Sequence, residues 1–298
     1  MKKHKVIAIV GPTASGKTSL SIEIAKKFNG EVISADSRQV YRGMDLGTGK
    51  VTAKEMDGIP HHLLDVADPM DIYTGVDFKR DATIALEKII AQKHTPIVAG
   101  GTFFYLELLR GSMQAAPVEP NPAYRKTLER YTNDELVELL REKDSRRAEN
   151  IDTHNRRRLE RALEIIHTLG AVPEVTHSDS AYDWLFIGVD IPKETLHKNI
   201  NTRLHTRLED GMIHEVETLL ENGVTPQRLD DFGLEYRFIL KYIQEEISYA
   251  QMCEQIENKS RQFAKRQLTW LKRYPEIIWM HPKKLSEIFH LTEKFINQ

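Results

Sequence analysis

Gly11-Pro12-Thr13-Ala14-Ser15-Gly16-Lys17-Thr18 fits the pattern G-x-x-x-x-G-K-[ST], and its flanks give the match its meaning. Before it runs Lys5–Val10, short, apolar and β-branched; after it, Leu20, Ile24, Ala25 and Phe28 fall on one helical face. A strand, a glycine turn and a helix in that order make a cradle for a polyphosphate. Glycines let backbone N–H groups turn inward, the helix N-terminus adds its dipole, Lys17 supplies a mobile positive charge, and the Thr18 hydroxyl can hold Mg²⁺. Gly11, Pro12, Thr13, Ala14, Ser15, Gly16, Lys17 and Thr18 are therefore expected to bind a diphosphate or nucleotide. The loop leaves the phosphate compound open, with ATP or GTP as the default.

Working outward, Glu31–Ala35 reads as a second buried strand that ends at Asp36. Phe78, Ala82, Ala85, Leu86 and Ile89 mark an amphipathic helix before a strand at Pro96–Ala99. Strands alternating with helices predict an α/β fold, a P-loop NTPase-like parallel sheet flanked by helices and joined by right-handed crossovers. Pro117, Pro120 and Pro122 then interrupt the pattern, which is helical from about Ala123 to Leu169, with Gly170 as the stop. Strand character returns at Trp184–Ile191, and helices follow, one with Ile200, Leu204 and Leu208 in register and one from about Ser248 to Tyr274. The expected division is a catalytic core of residues 1–115 and 186–298, with a smaller all-helical insertion domain at 116–185.

With 298 residues, 40 % hydrophobic and 29 % charged, the chain has an ordinary globular composition, and no apolar run approaches the roughly 20 residues that span a bilayer. The charged start leads into too short an apolar run for a signal peptide and reads as the first strand. A single cysteine, Cys253, excludes an internal disulfide framework and any multi-cysteine zinc site, and it reads as a small core residue. The 12 histidines show no HExxH spacing. A cytoplasmic protein without membrane contact is expected. The formal charge of −2 argues against a generally basic coat, but Arg141–Arg161 and Lys259–Arg273 are locally rich in Lys and Arg.

Asp36 stands at the carboxyl end of the second strand, where open α/β sheets bind ligands. It could ligate Mg²⁺ through water or take a proton from a nucleophile. The third strand ends Ile97-Val98-Ala99-Gly100-Gly101-Thr102, with no carboxylate where an NTPase commonly keeps one. Asp36 is thus the main acidic candidate beside the loop.

Together with Gly11–Thr18, the stretches Asp36-Ser37-Arg38-Gln39-Val40-Tyr41-Arg42-Gly43-Met44-Asp45-Leu46-Gly47-Thr48 and Gly100-Gly101-Thr102 resemble the signatures of the bacterial tRNA dimethylallyltransferases. Pro60–Asp65, Arg158–Glu164 and Ala264–Trp270 extend the resemblance from residue 6 to about residue 273. It implies transfer of a dimethylallyl group from dimethylallyl diphosphate to N6 of the adenine 3′-adjacent to the anticodon, with Mg²⁺ as cofactor. Lys17, Thr18 and Arg203 would stabilise the leaving diphosphate, Thr18 as metal ligand, and Asp36 would accept the amine proton. By the same resemblance Asp36, Ser37, Arg38, Gln39, Thr102, Arg125, Arg157, Arg158, Arg161, Lys265 and Arg266 would contact the tRNA anticodon stem-loop, and a monomer is expected. Trp270 recurs with Phe263, Gln267 and Tyr274 at helical spacing and reads as core. Phe232-Gly233-Leu234-Glu235-Tyr236-Arg237 departs from the family pattern, its basic residue shifted. A transferase that prenylates free adenine nucleotides and a P-loop small-molecule kinase are the alternatives.

Overall fold

Val6, Ala8 and Val10 face one side of the central strand and Ile7 and Ile9 the other, and all five are fully buried. That is the signature of a parallel strand covered by helices on both faces. The computed structural model describes residues 3–173 and 180–298. The chain runs β1 (His4–Val10), α1 (Lys17–Lys27), β2 (Gly30–Ser34), α2 (Ala53–Met56), β3 (His61–His62), α3 (Gly75–Ala91), β4 (Thr95–Gly100) and α4 (Phe103–Arg110). Helices α5 (Pro122–Leu128), α6 (Asn133–Lys143), α7 (Ser145–Glu149) and α8 (Arg156–Leu169) follow. The chain then continues with β5 (Tyr182–Val189), α9 (Lys193–Glu209), α10 (Met212–Glu221), α11 (Pro226–Phe232), α12 (Leu234–Ile243), α13 (Tyr249–Leu271), β6 (Ile278–Met280) and α14 (Leu285–Asn297).

All six strands are parallel, in the order β3-β2-β4-β1-β5-β6. On one face Phe78, Ala82, Leu86 and Ile89 of α3 pack on Val6, Ala8, Ile33 and Val98; on the other, Leu20 and Ile24 of α1 and Ile288 of α14 cover Ile7, Ile9, Val32 and Ile97. The chain leaves β1 toward β2 and leaves β4 toward β5, so the strand order reverses between β1 and β4. The crevice at their carboxyl ends is where such sheets bind ligands. A second core in the same unit, built on Met212, Val216, Leu229, Tyr236, Ile239 and Met252, gathers α9 to α13 around Val40, Tyr41 and Met44.

The chain divides into two compact units, Met1–Arg110 with Ser180–Gln298, and Gly111–Asp179. The sequence-based boundaries at 115/116 and 185/186 thus both shift toward the N-terminus, to 110/111 and 179/180, and residues 174–179 of that expected insertion lie outside the described residues. The second boundary moves because Tyr182 already pairs with His4, and the register continues through Trp184 opposite Val6. The sequence reading started this strand only at Trp184, because Tyr182 and the charged Asp183 ahead of it are half-buried and break the apolar run. In the second unit the single helical stretch expected from 123 to 169 is four helices, because Thr132, Asp144 and Asn155 each cap a new start. Their core is Leu136, Leu140, Leu159, Leu163 and Ile166. No helix among the described residues is long and apolar enough to cross a membrane.

Candidate active site

The phosphate loop folds as its sequence demands. Gly16 takes the left-handed region (φ 93°) and caps α1, so the first N–H groups of the helix open toward the cradle. Lys17 Nζ donates to the Pro12 carbonyl over 2.7 Å. Burial pushes its ammonium down to about 8, with the Arg203 charge acting the same way and Asp36 opposing. Asn199 and Arg203, one turn apart on α9, brace the loop: Asn199 Nδ2 donates to Ala14 O over 3.1 Å and Arg203 to Thr13 Oγ1 over 2.6 Å. Ser15 Oγ is buried and has no hydrogen-bond partner among the described residues. A buried hydroxyl without a partner is costly, and an incoming phosphate oxygen would satisfy it.

Asp36 lies just past β2, with only Ala35 between. Its Oδ1 accepts from the Arg38 N–H over 2.9 Å, which fixes the carboxylate in a turn. The neighbouring turn after β4 holds the other side: Thr102 Oγ1 accepts from the Ser37 N–H over 3.1 Å, and the Thr102 N–H reaches Ala35 O over 3.1 Å. Gly100 is obligatory here, since a Cβ at that position would lie 2.1 Å from Ala35 O.

These residues open on one cavity of about 510 Å³. Its lining carries six cationic side chains, Lys17, Arg38, Arg203, Arg237, Lys259 and Arg266, against two acidic ones, Asp36 and Glu235, the balance expected of a site for phosphates. Phe232, Phe263 and Phe238 supply apolar wall. Thr18 and Asp36 both face this space, and no cluster of three or more His, Cys, Asp or Glu that could hold a metal exists among the described residues. One hydroxyl and one carboxylate beside a phosphate cradle suit Mg²⁺, which keeps several waters and takes its remaining ligands from substrate phosphates.

The residues expected to touch RNA separate into distinct settings. Ser37, Arg38, Gln39, Thr102 and Arg266 line the cavity, and Lys265 is exposed beside Arg266 on α13. Gln39 also has structural work: it accepts from Ser34 Oγ over 3.1 Å and donates to Gly49 O over 3.1 Å. In the second unit Arg157 and Arg158 are exposed on the first turn of α8. Arg125 and Arg161 are instead drawn onto Glu164, whose side chain is fully buried. Arg125 donates two bonds of 2.9 Å, Arg161 one of 2.5 Å, and the Asn121 N–H a further one of 2.6 Å. Burial pushes the Glu164 carboxyl up, but these donors outweigh it and hold it below its ordinary value. Trp270 packs against the sheet core as expected.

Several residues shape the site without a role expected from the sequence, Gln267 among them although it lies inside the Ala264–Trp270 stretch. Gln267 on α13 touches the phosphate loop; Glu215 on α10 accepts from the N–H groups of Asp45 (2.8 Å), Leu46 (2.6 Å) and Gly47 (3.0 Å) and from Tyr236 Oη (2.8 Å). Arg207 is buried behind Arg203, 3.7 Å from Glu235. The departing stretch 232–237 lines the cavity, with Arg237 paired to Asp230 at 2.7 Å.

Residues 39–274 match the model of the IPP transferase family. The chain is similar to the tRNA dimethylallyltransferase of Macrococcus caseolyticus (strain JCSC5402), 41 % identical over 96 % of this chain and 93 % of that one, and to the protein of the same name from Thermomicrobium roseum, 40 % identical over 93 % and 86 %. Among solved structures it is similar to the tRNA isopentenylpyrophosphate transferase of Bacillus halodurans (34 % identity, TM-score 0.75, 99 % and 97 % covered). It also resembles a eukaryotic dimethylallyltransferase acting on tRNA (28 % identity, TM-score 0.85, 99 % and 80 % covered).

Proposed function

Because the chain belongs to the IPP transferase family, we propose that it prenylates tRNA, carrying a dimethylallyl group from dimethylallyl diphosphate to N6 of the adenine 3′ of the anticodon. The observation that carries this reading is a complete phosphate cradle sharing its cavity with Asp36 at the carboxyl end of β2, while the run Gly100-Gly101-Thr102 at the end of β4 offers no acid.

An exocyclic adenine amine is a weak nucleophile, because its lone pair is delocalised into the ring, whereas an allylic diphosphate ionises once its leaving group is neutralised. The protein therefore concentrates charge on the diphosphate. The loop N–H groups, Lys17 and Arg203 hold its oxygens, and the Ser15 hydroxyl, without a partner among the described residues, gains one. Mg²⁺ held by Thr18 and the diphosphate would add Lewis-acid neutralisation of the same charge. N6 attacks the allylic carbon, the carbon–oxygen bond breaks with its electron pair going to diphosphate, and the N6 proton passes to Asp36. The adenine must leave the stack of its loop to reach Asp36. Arg38, Lys259 and Arg266 around the cavity offer cations for the flanking phosphates.

Mass spectrometry of tRNA after incubation with the protein, Mg²⁺ and dimethylallyl diphosphate tests the reading. The expected product is an adenosine heavier by one five-carbon unit, formed far more slowly by D36N. Phosphate transfer from labelled ATP without any prenylated nucleoside would sink it in favour of a kinase; modification of free AMP in preference to tRNA would redirect it to the nucleotide-prenylating class.

A further inference from the structure

The amide of Gln267 spans two elements of the site. Its Oε1 accepts from the Thr13 N–H over 2.8 Å, and its Nε2 donates to Gly101 O over 3.1 Å. Both partners are backbone groups of fixed polarity, one only a donor and the other only an acceptor, so the amide has a single productive orientation. An uncharged group that donates and accepts within one plane is needed here, and among long side chains Gln alone supplies it without placing a charge beside the diphosphate. Thr13 is the residue whose hydroxyl receives Arg203, and Gly101 follows the glycine that packs on Ala35 next to Asp36. The space at Gly101 belongs to this contact as well: a Cβ there would lie 2.3 Å from Gln267 Nε2.

We propose that Gln267 is a positioning residue of the transfer reaction, its amide fixing the phosphate loop at Thr13 to the β4–α4 turn at Gly101 so that the diphosphate cradle and Asp36 keep one geometry. The proposal rests on the prenyl-transfer reading for its consequence, but its geometry concerns any diphosphate in the loop. Inorganic diphosphate binding therefore tests it apart from turnover.

The experiment titrates inorganic diphosphate with Mg²⁺ into wild type, Q267M, Q267E and G101A at pH 8 and pH 5, beside prenyl-transfer kinetics on tRNA. Q267M keeps length and neutrality but makes neither bond, and about a tenfold loss of diphosphate affinity relative to wild type is expected at both pH values. Q267E is expected to bind worse than Q267M at pH 8, where its carboxylate cannot donate to Gly101 O and repels the anion. At pH 5 it gains on wild type and overtakes Q267M, because the protonated acid restores both bonds. G101A, which displaces the amide, is expected to behave as Q267M, and kcat/KM for the prenyl donor follows the same order. Wild-type affinity in Q267M, or Q267E no better than Q267M at pH 5, overturns the proposal. If Q267M does not fold, the pH response of Q267E decides alone, and no recovery between pH 8 and pH 5 overturns it. Failure of wild type to prenylate tRNA, with this diphosphate pattern intact, would instead remove the functional reading and leave the clamp standing.

Discussion

Arg203 donates to Thr13 Oγ1 over 2.6 Å although 190 residues separate them in the chain. The contact aims a half-buried guanidinium at the phosphate loop, and desolvation, reinforced by Arg207, pushes that guanidinium down from its ordinary value. A cation held this way is stabilised by an arriving diphosphate. R203A is expected to lower kcat/KM for the prenyl donor by about 10²–10³-fold, the usual loss for one preorganised charge stabiliser. R203K keeps the charge but not the planar fork and should recover only part of that loss. Steady-state kinetics on tRNA measure both, and R203A at wild-type rate would remove Arg203 from the diphosphate site.

Asp36 is expected to act on the proton rather than on the diphosphate. D36N should cut kcat by about 10²–10⁴-fold while leaving the affinity for inorganic diphosphate near that of wild type. A parallel fall in both would show the carboxylate working chiefly through the metal or the loop.

Lys17 gives the reaction an alkaline limit. Its ammonium is held at about 8 instead of 10.5, so the free protein loses this charge as pH rises past about 8, and kcat/KM for the donor falls there. The stability effect has the opposite sign. Between about 8 and 10.5 the unfolded chain keeps a proton that the folded one has released, so stability gains from this group as pH rises through that window. Ligand-free wild type should therefore close on K17M in thermal melts between pH 7.5 and pH 10, and equal differences at both pH values would contradict the assignment.

Glu164 is the polar keystone of the helical unit. Its carboxyl is held below the ordinary value, so its contribution is present above the usual carboxylate range and fades as pH falls through the lowered value. E164Q removes the charge that both arginines face, and a loss of about 2–3 kcal/mol is expected, at the low end for a broken buried pair because the guanidiniums are themselves partly exposed. Denaturant melts of wild type and E164Q read this directly. R125A and R161A should likewise lower stability, not only tRNA affinity.

Arg158 is expected to behave differently from Arg161. Exposed on the first turn of α8, it suits a phosphate contact, so R158A should weaken tRNA binding evenly across tRNA sequences and reduce the slope of log affinity against log salt by about 0.7–1. A changed choice among tRNAs with an unchanged slope would argue for base reading instead.

What the sequence disclosed followed from how local each signal is. The phosphate loop, Asp36 and Gly100-Gly101-Thr102 are runs of consecutive residues whose backbone chemistry is written in place, and β1 and α3 carry long apolar patterns. Strands of two or three residues, such as β3 and β6, offer no period to detect. Gln267 meets Thr13 across 254 residues, and nothing near either of them announces the contact. Counting charges made the stretch Arg141–Arg161 look uniformly available, whereas Glu164 occupies Arg161 within it and Arg125 before it.

The tight turn after β4 also limits where this lineage can go. Turning the scaffold into a nucleotide hydrolase by placing an acid at the end of β4 would require a side chain at Gly100, where Ala35 O leaves only 2.1 Å, or at Gly101, where Gln267 occupies the space. Thr102 already spends its hydroxyl on Ser37. An acid at Gly100 would have to displace β2, one at Gly101 would break the Gln267 clamp, and one at Thr102 would give up the hydroxyl that holds Ser37, so moving toward hydrolytic chemistry at the end of this strand costs the site part of its own scaffold.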